Sequence, residues 1–393
     1  MISVTEAIQL IQQNISPTAI EILPLAQCSN RVLAKDVKSS INIPAFHQSG
    51  MDGYAFRMQD YSPTTSLQII AAIPAGDKSS ISILQMQAAR IFTGAPLPNF
   101  ADTVVMQEKT SVTNNQLFIT DTDLQKGNNV RPTGSEISTG NIALFAGTLL
   151  TPAAIGMLSS IGETEASVHK IPSVTIIITG NELQLPGLPL QQGNVYESNS
   201  YMLKAALKET GIKNINLLYA ADNLDELTLR LNEALQYADI VLLTGGVSVG
   251  DFDFVVKATE QCGVSNIFHK VKQKPGKPFF FGKKNQQLVF GFPGNPSSVL
   301  TCYYEYVVMA LQQMQAHAKP GLTRAFLPLA TSLYKKAGLT HFLKASTDGQ
   351  KVTLLGAQES FRLSSFAVAN CLACIPENTI IVEEGTLIEV HFL

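Results

Sequence analysis

The chain has 393 residues, 45% hydrophobic and 15% charged, so it reads as globular, with room for two to four domains of roughly 100–200 residues. A formal net charge of -3 excludes broad nucleic-acid binding, which needs a surplus of Lys and Arg, and no apolar run approaches the ~20 residues of a membrane helix. Five scattered cysteines, and a start with no basic stretch leading into an apolar block, point to a cytoplasmic protein without a disulfide framework.

Ser3 and Glu6 form a capping-box pattern, and Val4, Ile8, Ile11 and Ile15 follow at helical spacing until Ser16-Pro17 stops the helix. Residues 41–137 break into short alternating segments, among them Leu67 to Ile73, Ala89 to Phe92, Thr103 to Gln107 and Gln116 to Thr120, and read as a small β domain. It is inserted into a helical linker region made of 1–40 and 138–170, where Thr151-Pro152 opens a helix that Gly162 closes. Within the insert, Asp52-Gly53 has the composition of a hairpin turn. The small residues around it, and around Thr93-Gly94-Ala95-Pro96, also allow close backbone approach to a ligand.

Residues 171–317 alternate strand and helix: strands at Val174 to Ile178, Ile215 to Ala220, Ile240 to Leu243, Phe279 to Phe281 and Leu288 to Phe290, with a long last helix from Pro296. Near-continuous Val, Ile and Leu strands predict a doubly wound α/β domain on a parallel sheet. In such sheets ligands sit outside the carboxyl ends of the strands. The polar loops fall there: Thr179-Gly180-Asn181-Glu182, Asp222-Asn223, the glycine loop from Gly245 to Asp253, and Pro293-Gly294-Asn295-Pro296. Gly245, Gly246 and Gly250 suit close approach to a phosphate, and Asp251 and Asp253 offer hard oxygen ligands for magnesium. The loop is not a P-loop, because Asp251 and Phe252 replace the required Lys and Ser/Thr, and no Rossmann glycine pattern is present.

Lys274-Pro275-Gly276-Lys277-Pro278 holds two ammonium groups in a stiff loop suited to an oxyanion. Residues 318–393 return to short strands and form a second β domain. Cys371 and Cys374 have redox or zinc spacing but no companion Cys or His pair, and read as core packing.

Met51-Asp52-Gly53-Tyr54-Ala55, Thr93-Gly94-Ala95-Pro96, Val104 to Glu108, Thr179 to Leu183, Thr244 to Gly250, Lys274 to Pro278 and Gly291 to Pro296, in this order, resemble the MoeA family, the molybdopterin molybdenumtransferases, and the related E domain of gephyrin. The resemblance spans essentially the full length. It implies that 171–317 is a MogA-like molybdopterin-binding domain and that the chain forms a homodimer with active sites between subunits. It further implies a magnesium-dependent reaction in which adenylyl-molybdopterin is bound, molybdate is inserted at the dithiolene and AMP is released. Expected partners are a MogA-like adenylyltransferase upstream and molybdoenzyme acceptors downstream.

The resemblance implies catalytic roles for Asp52, Thr93, Glu182, Asp222 and Asp253, with Asp222 and Asp253 on the metal. Gly245, Gly246 and Ser248 are expected to cradle the terminal phosphate of the pterin. Lys274 and Lys277 are expected to attract molybdate beside the Pro293-Gly294-Asn295-Pro296 loop and Ser297. Lys344 and Ser360 to Ser364 resemble a polar segment that reaches a neighbouring site. Three departures stand out: Arg131 to Glu136 lacks an arginine run, Asn181 replaces an acidic residue, and no arginine flanks Asp222. Two alternatives are a MogA-like adenylyltransferase or pyrophosphohydrolase, and a noncatalytic molybdopterin-binding scaffold. The added Asp52 and Thr93 loops weigh against the first, and the intact carboxylates against the second.

Overall fold

The structure, a computed structural model, describes residues 1–245 and 254–393. A six-stranded sheet in the order Ile215–Ala220, Val174–Thr179, Ile240–Thr244, Gln287–Phe292, Pro278–Lys284 and Ser265–Lys270 carries the α/β unit. The first four strands are parallel, and every residue of the two central ones, Val174–Thr179 and Ile240–Thr244, is buried, as expected for strands covered on both faces. The last two are antiparallel, so the sheet is mixed rather than wholly parallel. Ser265–Lys270 is an addition to the predicted strands: its polar residues hid it inside the lysine-rich stretch, and only its pairing with Pro278–Lys284 makes it a strand.

Asn199–Glu209 and the long C-terminal helix cover one face, packing Leu203, Leu207, Tyr303 and Tyr306 onto Phe279, Phe281 and Phe290. Leu224–Ala234 and Phe254–Gln261 cover the other with Leu227, Leu231, Val255 and Ala258. The first helix, Val4–Gln13, is capped as expected: Ser3 Oγ accepts from the Glu6 N–H at 3.1 Å, and Glu6 Oε2 from the Ser3 N–H at 2.9 Å. Its Ala7 and Ile11 lie in the core shared with the sheet. The long helix runs from Pro296 to Met314 with a π turn at Tyr303–Val307 in its middle.

The β insert is a six-stranded sheet in which Gly53–Phe56 pairs with both Gln87–Ile91 and Thr103–Met106. Gly53 therefore begins an interior strand instead of closing a hairpin turn. It must be glycine, since a Cβ there would stand 1.8 Å from the Val105 carbonyl oxygen. Ile20–Pro24 pairs with Glu165–His169, and the helix Pro152–Ser160 packs Ala154 and Leu158 against Leu25, Cys28 and Leu33.

At the C-terminal end, Thr340–Thr347, Cys371–Ile375, Leu387–Phe392 and Arg324–Pro328 form an antiparallel sheet. Gln273–Lys274 joins its edge, parallel to Thr340 and His341. Among the described residues no helix is long and apolar enough to cross a membrane.

Candidate functional site

Val174–Thr179 is flanked by Ile215–Ala220 on one side and Ile240–Thr244 on the other. The chain order thus reverses between the carboxyl ends of the first and third strands, which is where an open α/β sheet leaves a crevice. A cavity of about 460 Å³ lies there, lined by Thr179, Glu182, Glu197, Gly245, Asn295 and Phe361 among others. Gly245 has φ +86°, and a Cβ on it would lie 2.2 Å from the Thr179 carbonyl oxygen, so glycine alone lets the two strand ends close up. A wider groove of about 850 Å³ runs between 134–144 and the helix Pro152–Ser160, but Glu136 is the one ionisable side chain among its described lining residues. The crevice at the sheet is the better site because charged and polar groups converge there.

Asp222 follows the second strand. Burial, and then the charge of Glu182, pushes its carboxyl above the ordinary value, while a hydrogen bond involving Thr179 works the other way. Asn181 Oδ1 accepts from the Asp222 N–H at 3.1 Å, so the residue that departs from the expected acidic pattern has a positioning task instead. Two carboxylates that repel each other beside a hydroxyl are a suitable oxygen set for a hard divalent cation.

The Pro293 to Pro296 turn forms the opposite wall. Asn199 Nδ2 donates to the Gly294 carbonyl at 2.9 Å, and Asn295 Nδ2 to Ser360 Oγ at 2.8 Å. Ser297 is fully buried, with its N–H donated to the Ser360 carbonyl at 3.0 Å. Asn199 Oδ1, Thr244 Oγ1 and Ser297 Oγ are buried and have no hydrogen-bond partner among the described residues. Ser360 thus meets this wall within its own chain. Lys344 holds that segment: it is 2% exposed and its Nζ donates to the Ala357, Arg362 and Glu359 carbonyls at 2.7, 3.0 and 3.4 Å.

In the β insert, Asp52 Oδ1 accepts from both the Thr93 N–H and the Thr93 hydroxyl, and these two bonds hold its carboxyl below the usual range. Both residues are exposed. Arg90 lies beside them, donating to the Gly53 carbonyl at 2.9 Å and stacked over the rings of Tyr54 and Phe92.

Three family descriptions match successive parts of the chain: the MoeA N-terminal region (domain I and II) at residues 2–162, a probable molybdopterin binding domain at 175–313, and the MoeA C-terminal region (domain IV) at 327–393. The chain is 34% identical to the molybdopterin molybdenumtransferase of Haemophilus influenzae over 98% of its own length and 96% of that protein's. It belongs to the MoeA family. The Bacillus subtilis molybdopterin molybdenumtransferase is 32% identical, covering 99% of this chain and 93% of its own. The crystal structure of the molybdopterin biosynthesis MoeA protein from Pyrococcus horikoshii OT3 aligns over all of both chains with a TM-score of 0.87 at 27% identity. The expected fold class, a MogA-like α/β unit accompanied by other units, and the expected enzyme class, a transferase, agree with these relatives.

Within this MoeA chain the structure gathers Glu182, Gly245, Gly294, Asn295 and Pro296 on the cavity, with Pro293 and Ser297 next to them in sequence; Asp222 does not line it and lies on a separate loop after Ile215–Ala220, tied to the Glu182 loop through the Asn181 side chain. Asp52, Thr93, Lys274 and Lys277 do not line it. Lys274 and Lys277 are exposed on a loop held from beneath by buried Gln273, whose Nε2 donates to the carbonyls of Pro275 at 3.1 Å and Gly276 at 3.2 Å. Gly246, Ser248 and Asp253 lie outside the described residues. Glu197 is among the lining residues missed in the sequence, whereas Phe361 belongs to the Ser360 to Ser364 segment already singled out there. Glu197 is 2% exposed and caps the helix from Asn199 by accepting from the Ser200 N–H at 2.7 Å, and Phe361 arrives from the C-terminal sheet unit. Ser198-Asn199 after Glu197 was the available signal of a helix start.

Proposed function

We propose that this MoeA protein inserts molybdate into adenylylated molybdopterin and releases AMP. The observation that carries this reading is the cavity at the reversal of the sheet, where Thr179, Glu182 and Gly245 face Asn295 and Pro296. A phosphorylated pterin fits such a crevice because Gly245 permits close backbone approach at the strand end.

Asp222 and Glu182 fit a magnesium ion: their carboxylates are near enough for one charge to raise the other's proton affinity. With Asp253, they are the residues that would hold it, and the bound ion would supply charge neutralisation for cleavage of the phosphoanhydride. The chain's own part is positional. Asn181 sets the Asp222 backbone, Lys344 sets Ser360 against Asn295, and Lys274 and Lys277 offer cationic charge to molybdate, a dianion. Burial, followed by the charges of Lys335 and Lys274, pushes His341 down to about 4, so at neutral pH the lysines provide the positive charge. The exposed Asp52–Thr93 pair is supplied to the cavity of a second copy in a homodimer. The product passes on to molybdoenzyme acceptors in the cytoplasm.

AMP release from adenylyl-molybdopterin, followed with purified chain and magnesium, tests this directly. Release that depends on molybdate supports the insertase; tight pterin binding without release under any oxyanion would replace it with a binding role.

A further inference from the structure

A second cluster stands apart from the crevice. Cys374, Glu389 and His391 place a sulfur, a carboxylate oxygen and a ring nitrogen within 4.8 Å of one another. The strand register explains why. Cys374 stands directly opposite Glu389 across neighbouring antiparallel strands, and His391 follows two residues on, so all three project from one face. The π turn Tyr303–Val307 covers that face, and both carboxylate oxygens of its Glu305 lie 2.8 Å from Nδ1 of His391. The side chains of Glu305 and His391 are 1% and 3% exposed.

A carboxylate at Nδ1 assigns a proton to that nitrogen and leaves the Nε2 lone pair for another partner. Nε2 is buried and makes no hydrogen bond among the described residues; Oε1 of Glu389 lies 3.5 Å away. A cavity of about 390 Å³, bounded by Ser3, Thr5, Arg324 and Phe342, opens beside the three groups.

We propose that Cys374, Glu389 and His391 bind a zinc-class divalent transition ion. Mixed sulfur, imidazole and carboxylate donors suit such a borderline-soft ion, whereas magnesium prefers six oxygens. Three protein ligands leave one position to water from the cavity, and a carboxylate behind a ligating imidazole is the usual supporting arrangement. The Cys374 thiolate and the Glu389 carboxylate neutralise the two charges of the ion. Arg324, at 3.2 Å from Oε1 of Glu389, offsets Glu305. Metal bonds of roughly 2.3 Å to sulfur and 2.1 Å to nitrogen would draw the groups inward by about 1 Å. Cys371 takes no part, because three residues along a strand it projects from the opposite face. The ion would fix the His391 ring whose Nδ1 already ties the C-terminal sheet to Glu305 in the middle of the long helix, whatever reaction the crevice performs.

Titration of the chelator-treated, full-length chain with cobalt tests the site. One cobalt per chain, with a thiolate-to-metal charge-transfer band and intense tetrahedral ligand-field bands displaced by zinc, is expected. Magnesium sites of oxygen ligands give no thiolate band, so the readout is separate from the crevice. Cys374→Ser should abolish the band and weaken binding at least tenfold, while Cys371→Ser keeps both. Absence of the band in the native chain at saturating cobalt, or its survival in Cys374→Ser, overturns the proposal.

Discussion

Oδ1 of Asp52 accepts two hydrogen bonds from one residue, Thr93, at 2.8 Å from its N–H and 2.7 Å from its hydroxyl. The hydroxyl contributes more than the amide to holding the carboxyl low. Thr93→Val keeps the shape and the N–H but deletes the hydroxyl. The Asp52 titration, followed by carbon NMR, should then move up toward the ordinary carboxylate value, and the acid limb of kcat/KM should move with it. A depressed folded value means stability present above the ordinary value and lost as pH falls through the depressed one. Because Asp52 is exposed, screening keeps that contribution small, and the thermal midpoint should be unchanged. An unmoved pH profile would remove Asp52 from the chemistry.

Asp222 behaves in the opposite sense. Its raised value contributes stability that is present at acid pH and is lost as pH rises through the folded value. Asp222→Asn should therefore unfold at a slightly higher temperature than the native chain at pH 7 without added metal. Magnesium should raise the midpoint of the native chain but not of the variant, and AMP release should fall by roughly 10²–10³-fold, as for loss of one charge-stabilising group. Equal magnesium effects on both proteins would take Asp222 off the metal.

Gly245→Ala forces a side chain into the left-handed region and to 2.2 Å from a carbonyl oxygen. Strained backbone of this kind costs about 1–3 kcal/mol, and the clash adds to it. The thermal transition should drop and pterin affinity with it. Gly294→Ala, on the opposite wall, has open space and should keep the native midpoint.

Lys344→Met removes the donor shared by three partly buried carbonyls; that of Ala357 keeps the Ser365 hydroxyl and that of Glu359 the Arg362 N–H, so the Arg362 carbonyl is the one left without its donor. An unsatisfied group costs about 1–3 kcal/mol, so a clear loss of stability is expected. Hydrogen exchange should quicken across residues 357–365, and KM should rise more than kcat falls, because Ser360 then loses its fixed place against Asn295. An unchanged KM would confine Lys344 to a structural part.

The crevice was legible because it is local. Each polar loop follows an apolar strand in the sequence, and parallel pairing then gathers the strand ends at one edge, so the sequence alone places Thr179 to Glu182, Gly245 and Asn295 together. Gly53–Phe56 was not legible, since four residues are too few to show alternation and the preceding Asp-Gly pair mimics a turn. Glu305 and His391 lie 86 positions apart, and Cys374 meets Glu389 only through strand register. The spacing of Cys371 and Cys374 drew attention to two cysteines that point to opposite faces. Lys344 is the same kind of case: only the closed fold turns an ordinary lysine into a buried donor.

The lysine loop has two neighbours from the far ends of the chain. The Ile2 N–H donates to the Lys270 carbonyl and the Lys272 N–H to the Ile2 carbonyl, while the Thr340 N–H donates to the Lys272 carbonyl. The start of the chain and the C-terminal sheet unit are thus both stitched onto a single five-residue ribbon, Lys270 to Lys274. An excised 171–317 fragment would keep its own sheet but lose both seams, leaving Lys270 to Lys274 as a raw edge open to pairing with other chains. The lysine loop is therefore a keystone, seated only when Ile2 and Thr340 are in place.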